Sequence, residues 1–350
     1  MTISHPTPTE TVLGWQDDAL IEINRASVIL VNTATMDGIA TITMNPALDV
    51  TSTTDRIIAT EKLRCTAPRH DPGGGGINVA RAVRALGGDA IAVFPVGGLV
   101  GQRLQQLLNE EQVPVLPVMI AEPCRQSFMI DEGETSLQFR FIMPGPSMSA
   151  IEQEGCLDRI TSLEPKPRYV VGSGSLPPGV SIDFYARLAE RVRTLGAQLI
   201  VDTSGEALRQ AGCDRIYLLK PSLRELQQLL AREIKDEPQQ ESAARELVKS
   251  GRCEVAVLSL GAAGALVATV EGCWRFAAPT VRVRSTVGAG DSMVAGIVLS
   301  LVRGLSILEA VRFGVAAGGA ALMRPGTELC DRKDTERLLA QTCEPIACDA

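Results

Sequence analysis

From about residue 76 onward, short, almost wholly apolar runs alternate with amphipathic stretches, and this pattern limits the fold more than any other feature of the chain. Ile77–Leu86 reads as a helix and Ala90–Phe94 as a buried strand; Gly101–Glu111 then reads as a helix and Val115–Val118 as a strand. Tyr169–Val171, Gln198–Val201, Ile216–Leu219 and Val255–Ser259 are further strands, with helices at Ile182–Leu195 and Leu223–Ala231. Ile39–Met44 is the first convincing strand. Strands that are apolar on both faces, set between amphipathic helices, predict a mostly parallel sheet covered on both sides. Ligands in such folds bind beyond the carboxyl ends of the strands. Two segments, Thr51–Pro68 and Cys124–Phe141, break the rhythm: they are β-like, more polar and joined to no helix. Ser127–Ile130 and Leu137–Ile142 predict a hairpin around Glu132-Gly133-Glu134. The two excursions are either surface hairpins or a small accessory sheet that covers the site.

Composition excludes several classes. The 350 residues are 45% hydrophobic, enough for a large core. A net charge of −7 argues against a nucleic-acid surface, and 3% aromatics against a stacking platform for single strands. No apolar run reaches the roughly 18 residues of a membrane span. The nine cysteines are scattered without a C-x-x-C pair, and read as reduced thiols of a cytoplasmic protein. With only His5 and His70, a histidine-based triad or zinc site is disfavoured. Residues 1–35 are polar and Thr-rich, without the basic start and long apolar stretch of a signal peptide. They read as a flexible extension, or as residues ahead of a true start at Met36.

Ser285-Thr286-Val287-Gly288-Ala289-Gly290-Asp291-Ser292 precedes an apolar helical pattern, Met293 to Val302. Small residues there let a ligand approach main-chain N–H groups at a helix N-terminus, where negative charge is favoured. Asp291 in that first turn either caps the helix or takes a proton from an attacking hydroxyl beside a bound phosphoryl group. A second glycine cluster, Gly73 to Gly76, passes abruptly into the helix carrying Asn78, and is either a flexible loop or a binding turn. Asp49, read as ending the first strand, is either a turn residue or an acceptor for sugar hydroxyls. Ser173–Gly179 is a small-residue turn after a strand. In Lys220-Pro221-Ser222-Leu223-Arg224-Glu225, Ser222 and Glu225 have capping-box spacing, which explains them without a metal. Gly261 and Gly264, after Ser259, suit a loop under a nucleotide or a hairpin turn, and Gly314–Ala321 is a small-residue helix against which a helix or an adenine can pack.

Each motif is ambiguous alone, but together they fall at the loops where this architecture places its site. The whole resembles the PfkB/ribokinase family of carbohydrate kinases. Gly73–Ala80 and Ser285–Ser292 stand where that family has its two hallmarks, with supporting runs at Glu61–Pro68, Pro72–Arg81, Ser173–Gly179, Val287–Val294 and Val311–Gly318. The likeness extends from about Ile39 to Leu339. It implies a ribokinase-like three-layer αβα sandwich with a mostly parallel central sheet and a small β lid. The kinase core would take residues 36–50, 69–122 and 144–342; the lid, and with it a homodimer interface, would take 51–68 and 123–143.

The resemblance also implies ATP-dependent phosphorylation of fructose 6-phosphate at its C1 hydroxyl, with tagatose 6-phosphate and fructose 1-phosphate as alternative substrates. By motif, Asp291 would be the general base, and the N–H groups of Val287, Gly288, Ala289 and Gly290 the anion hole. Asp49, Gly74, Gly75, Asn78 and Ser175 would bind the sugar, and Lys62 and Arg125 its phosphate, with Lys62 and Arg64 on the lid. Lys220, Ser222, Ser259, Gly261, Gly264 and Gly319 would surround ATP, while Glu225 would organise Mg²⁺ through water. A K⁺-type ion would sit near Ser285, Val287, Ala321, Arg324 and Gly326. One departure stands out: Ser222 replaces the family's usual Asn, a shorter group with one donor rather than two, which implies a shifted metal dependence. Two rival readings remain. A non-catalytic sugar-phosphate sensor would lack the base or the metal acid, and both Asp291 and Glu225 are present. A dinucleotide oxidoreductase fails on glycine spacing, since G-x-G-x-x-G is absent from 73–76.

Overall fold

The computed structural model describes residues 38–211 and 216–348. The extension expected at 1–35, and the start expected at Met36, lie outside the described residues. In chain order the first half contains β1 (Ile39–Ile42), β2 (Ala47–Thr54), β3 (Arg69–Gly73), α1 (Gly75–Ala85), β4 (Ala90–Val96), α2 (Gly98–Glu110), β5 (Val115–Met119), β6 (Arg125–Glu132) and β7 (Gln138–Ile142). There follow α3 (Ala150–Thr161), β8 (Tyr169–Ser173), α4 (Phe184–Leu195), β9 (Gln198–Asp202), α5 (Gly205–Ala211), β10 (Ile216–Leu219), α6 (Leu223–Leu230) and α7 (Glu237–Lys249). The last elements are β11 (Cys253–Ser259), β12 (Ala265–Ala268), β13 (Cys273–Phe276), α8 (Ala289–Val302), α9 (Ile307–Leu322), α10 (Arg332–Leu339) and β14 (Ile346–Ala347).

The main sheet has the order β14-β13-β12-β11-β10-β9-β8-β1-β4-β5. Every pair from β5 to β11 is parallel, and the β12, β13 and β14 edge is antiparallel. The alternation of strand side chains explains the two helical layers. Val255 and Val257 face the core built with α1, α8 and α9, whereas Ala256 and Leu258 face the core built with α3, α4 and α7. Because both faces are covered, the strands carry no polar stripe, which is why their sequence reads as continuous apolar runs. The chain leaves β1 toward β4 on one side and later returns to β8 on the other. A crevice at the carboxyl ends of β1 and β8 is therefore expected, since strand order reverses there.

A second sheet, β3-β2-β6-β7, stands apart from the first. Its strands claim more chain than the 51–68 and 123–143 expected for a lid, since β2 starts at Ala47 and β3 is Arg69–Gly73. Asp49 thus lies inside a lid strand and does not end the first core strand, because Asn45-Pro46 interrupts the chain after β1. Segment 55–68 folds back on β2, where the Thr66 N–H donates to the Thr53 carbonyl at 2.9 Å and Ser52 Oγ to the Thr66 carbonyl at 2.7 Å. The hairpin around Glu132-Gly133-Glu134 is present as β6 and β7, in antiparallel register Ser127 to Ile142. No described helix is long and apolar enough to cross a membrane. The cysteines among the described residues are free.

Candidate active site

The start of α8 is shaped by Gly288, which holds φ at 74°; a Cβ there would lie 2.5 Å from Leu329 Cδ2. Glycine is therefore favoured by conformation, since the close neighbour is only the movable end of the Leu329 side chain. No side chain caps α8, so its first N–H groups are left for another acceptor. Asp291, in the first turn, does not cap: its Oδ2 accepts from Asn78 Nδ2 at 3.0 Å. Burial pushes the Asp291 carboxyl up to about 6, the nearby Asp202 charge adds to this, and the Asn78 donor and Lys220 oppose it. The expected anion hole needs one correction. The Val287 N–H is given to Ser285 Oγ at 3.2 Å, because Ser285 folds back over the turn. Gly288, Ala289 and Gly290 make up the rest of the expected set, at a helix start that no side chain caps.

The glycine cluster is not a free loop. Gly73 ends β3, and Gly74 turns the chain with φ at 112° against Thr43 and Pro46. A Cβ on Gly76 would meet the Ile42 carbonyl at 2.6 Å, and one on Gly75 would meet Gly174 N at 2.8 Å. The turn thus presses on the carboxyl ends of β1 and β8. Thr43 Oγ1 receives the Ile77 N–H at 2.7 Å and so fixes the start of α1. Asn78, buried on α1, faces Asp291. Asp49 packs against Gly73; burial pushes its carboxyl up to about 6, against the opposing charges of Arg125 and Arg81. Ser175 Oγ accepts from Asn45 Nδ2 at 3.0 Å. Arg125 donates to the carbonyls of Met143 at 3.0 Å and Asn45 at 3.2 Å, while its Nε is buried without a partner. Lys62 lies in the exposed segment that folds back on β2.

On the other side of Asp291's helix start lies a cavity of about 600 Å³. It brings together Ser259, Gly261, Gly264 and Gly319 of the expected nucleotide set, along with Ala289 and Gly290. Gly261–Ala263 is a 3₁₀ turn joining β11 to β12, so the hairpin-turn reading of that loop holds, and the same loop lines the cavity. Lys220 and Ser222 do not line this cavity. Lys220 is buried beside it, its Nζ 3.1 Å from Asp202 Oδ1 and 3.6 Å from where a Cβ on Gly290 would lie. Burial pulls the Lys220 ammonium down, but Asp202, Glu225 and Asp291 together hold it above its ordinary value. Ser222 and Glu225 form the complete capping box at the start of α6, with the Ser222 N–H donated to Glu225 Oε2 at 2.8 Å.

Several residues escaped the sequence reading. Asp202 closes β9 directly before Thr203-Ser204-Gly205; an acid ending an apolar strand was the available signal. Pro279, Thr280 and Val281 line the cavity from a segment with no periodicity to mark it. For the expected monovalent-cation set, Ser285 Oγ donates to the Gly326 carbonyl at 2.7 Å, so two of its turns meet. Ala321 is buried near the end of α9, and the Arg324 guanidinium pairs with Asp331 and Asp334.

Comparison with known proteins agrees with this geometry. The chain is 48% identical over 307 residues to the ATP-dependent 6-phosphofructokinase isozyme 2 of Mycobacterium tuberculosis H37Rv, covering 88% of this chain and 90% of that protein. It is 43% identical over 303 residues to the isozyme 2 of Escherichia coli K12, covering 86% and 98%. The crystal structure of phosphofructokinase-2 from Escherichia coli in complex with potassium superposes with a TM-score of 0.84, at 43% identity, over 87% of this chain and 98% of that one. The sequence model of the pfkB family carbohydrate kinases matches residues 42–334, and the chain belongs to that family.

Proposed function

We propose that this protein transfers the terminal phosphoryl group of ATP to the C1 hydroxyl of fructose 6-phosphate, giving fructose 1,6-bisphosphate and ADP. The observation that carries this reading is the buried Asp291 carboxylate: it sits in the first turn of an uncapped helix whose Ala289 and Gly290 line a glycine-rich cavity, and it accepts from Asn78 of α1. The 6-phosphofructokinase activity of relatives that match most of this chain supports the choice of sugar.

Asp291 accepts the proton of the C1 hydroxyl as that oxygen attacks the phosphorus. The N–H groups of Gly288, Ala289 and Gly290 receive the charge growing on the transferred oxygens. Lys220, held by Asp202, sets a fixed positive charge beside Gly290. Asp49, Gly74, Gly75, Asn78 and Ser175 hold the sugar, and Lys62 and Arg125 its phosphate. The buried, unpartnered Nε of Arg125 fits a need for one more acceptor. Ser259, Gly261, Gly264 and Gly319 border the nucleotide, with Ser222 near its phosphates. Residues 51–68 and 123–143, widened to the observed strands, act as the lid that excludes water from the transfer.

Among the described residues no three acidic, histidine or cysteine side chains gather into a metal site, so Mg²⁺ would be held chiefly by phosphate oxygens and water, as that ion commonly is. Glu225 would hold it through water, and it would neutralise the phosphate oxygens. A K⁺-type ion would be held where the 285–287 and 321–326 turns meet, by carbonyls near Ser285 and Val287 and by the loop carrying Ala321, Arg324 and Gly326. It would add positive charge beside the anion hole. Exposed Leu137, Phe141 and Ile142 on the lid fit a homodimer joined there, and the absence of a membrane-crossing helix among the described residues fits a cytoplasmic enzyme.

A coupled assay of ADP release with fructose 6-phosphate, tagatose 6-phosphate, fructose 1-phosphate and ribose tests the reading. The highest kcat/KM is expected for fructose 6-phosphate. A higher value for fructose 1-phosphate would overturn the substrate, and no turnover with any sugar would overturn the activity.

A further inference from the structure

Arg81 follows Asn78 by one turn of α1, so the two side chains share a face of the helix. Its side chain is only 8% exposed, and its donors are spent on three elements. Nε and Nη2 each bind an oxygen of Glu111, at the end of α2, at 2.7 Å, and Nη1 donates to the Pro72 carbonyl at 2.7 Å. Nη1 also lies 3.5 Å from Asn78 Oδ1. On the far side of the same amide, Asn78 Nδ2 donates to Asp291 Oδ2. The 3.5 Å contact is long for a hydrogen bond, so its effect is on orientation. Turning the Asn78 amide end for end would set its NH₂ against the guanidinium and its oxygen against the carboxylate, which is unfavourable on both sides.

We propose that Arg81, clamped by Glu111, is a positioning residue for phosphoryl transfer: it fixes the Asn78 amide so that Nδ2 faces the Asp291 carboxylate, and it holds the glycine turn through the Pro72 carbonyl. This rests on Asp291 being the base of the proposed reaction. The line Glu111–Arg81–Asn78–Asp291 runs from the end of α2 to the start of α8.

The groups acting on Asp291 are Asn78 from α1, Asp202 at the end of β9, Lys220 after β10 and Asp49 from β2. Those acting on Asp49 are Arg125, Arg81, Asp71 and Arg140. Without a well-aimed Asn78 donor, the charged form of Asp291 loses support, its pKa rises, and the acidic limb of the kcat profile moves to higher pH. Removing the Arg81 charge would also disturb Asp49, so the informative variant is Arg81→Lys. Lysine keeps the charge but cannot grip Glu111 at two points and reach Pro72 and Asn78 as well.

The test is a set of pH–rate profiles for the wild type, Arg81→Lys, Asn78→Ala and the double variant, with unfolding midpoints measured alongside. Arg81→Lys is expected to lower plateau kcat by about tenfold, the effect of one lost charge-assisted hydrogen bond, and to move the acidic limb upward. In the Asn78→Ala background it should leave the acidic limb unmoved and lower kcat by less than it does alone, because the two residues act as a unit on Asp291. Losses that multiply in full in the double variant, with the limb unmoved by Arg81→Lys alone, would overturn the proposal. Should Arg81→Lys fail to fold, Glu111→Gln loosens the clamp from its half-exposed end and should move the limb in the same direction by less; an unmoved limb overturns the proposal. A wild-type profile without an acidic limb near Asp291's raised pKa would remove the base assignment, and this proposal with it. A limb that is present but indifferent to Arg81 and Glu111 would sink the proposal alone.

Discussion

Asp291 is an ordinary carboxylate that burial adapts to the base role proposed for it. Its pKa of about 6 lies above the usual range because water is excluded and Asp202 is nearby. The group therefore remains ionised at neutral pH while being a stronger base than an exposed aspartate. Since only the ionised form accepts a proton, kcat should fall below about pH 6, by roughly tenfold for each further pH unit. A pH–rate profile at saturating substrates checks this. Asp291→Asn should lower kcat by roughly 10²–10⁴ and leave ATP affinity nearly unchanged; calorimetric titration with nucleotide separates the two effects. Asp291 and Asn78 were legible in the sequence because each follows small residues at the start of an apolar helix. Asp202 was not, since a lone acid after a strand resembles any turn residue until Lys220 is seen beside it. The Val287 N–H was misassigned because Ser285 turns back on its own loop, a local hydrogen bond that no spacing rule announces.

At the scale of elements, α8 and α9 pack closely through glycine. A Cβ on Gly296 would lie 2.9 Å from Gly314 Cα, and one on Gly314 would lie 2.7 Å from the Met293 carbonyl. Gly314→Ala would gain up to about 1 kcal/mol of helix propensity. Against this, a methyl pressed on a main-chain oxygen forces the helices apart, at a cost of about 1–3 kcal/mol. The overpacking should win, lowering the unfolding midpoint by a few degrees, and differential scanning calorimetry of the variant checks it. The same contact places the start of α8, so kcat should fall as well. The alternating elements of the parallel sheet were readable in advance because each strand buries both faces. The edge strands β12 to β14 were missed. They are short and lie between loops, and only successive pairing outward from β11 makes them strands. The second sheet reaches beyond the polar segments that the sequence sets apart, because β2 and β3 look like turns in a sequence rich in Thr, Pro and Gly.

For the molecule as a whole, the lid is held to the core at more than one place. Arg69 on β3 donates to Glu328 at 2.7 Å, and Thr327 donates to Asp71 at 2.7 Å, so the lid sheet is tied to the turn that also meets Ser285. The hairpin exposes several large apolar side chains: Leu137 is 57% exposed, Phe141 48% and Ile142 58%. So many on one short hairpin is unusual for a surface that meets only water. Replacing Phe141 and Ile142 with Asp should convert a dimer to monomers in light scattering and raise the KM for fructose 6-phosphate, with little change in ATP binding. A single species of unchanged mass would remove the interface from the lid.

Asp49 sits within β2, the strand that climbs out of the core just after β1. A hexose held by that carboxylate, as proposed, would be held by the cover itself, and loading and shutting would then be one event. An enzyme arranged in this way has little reason to close over nucleotide alone, and its wasteful turnover of ATP in water would stay low without any separate gate.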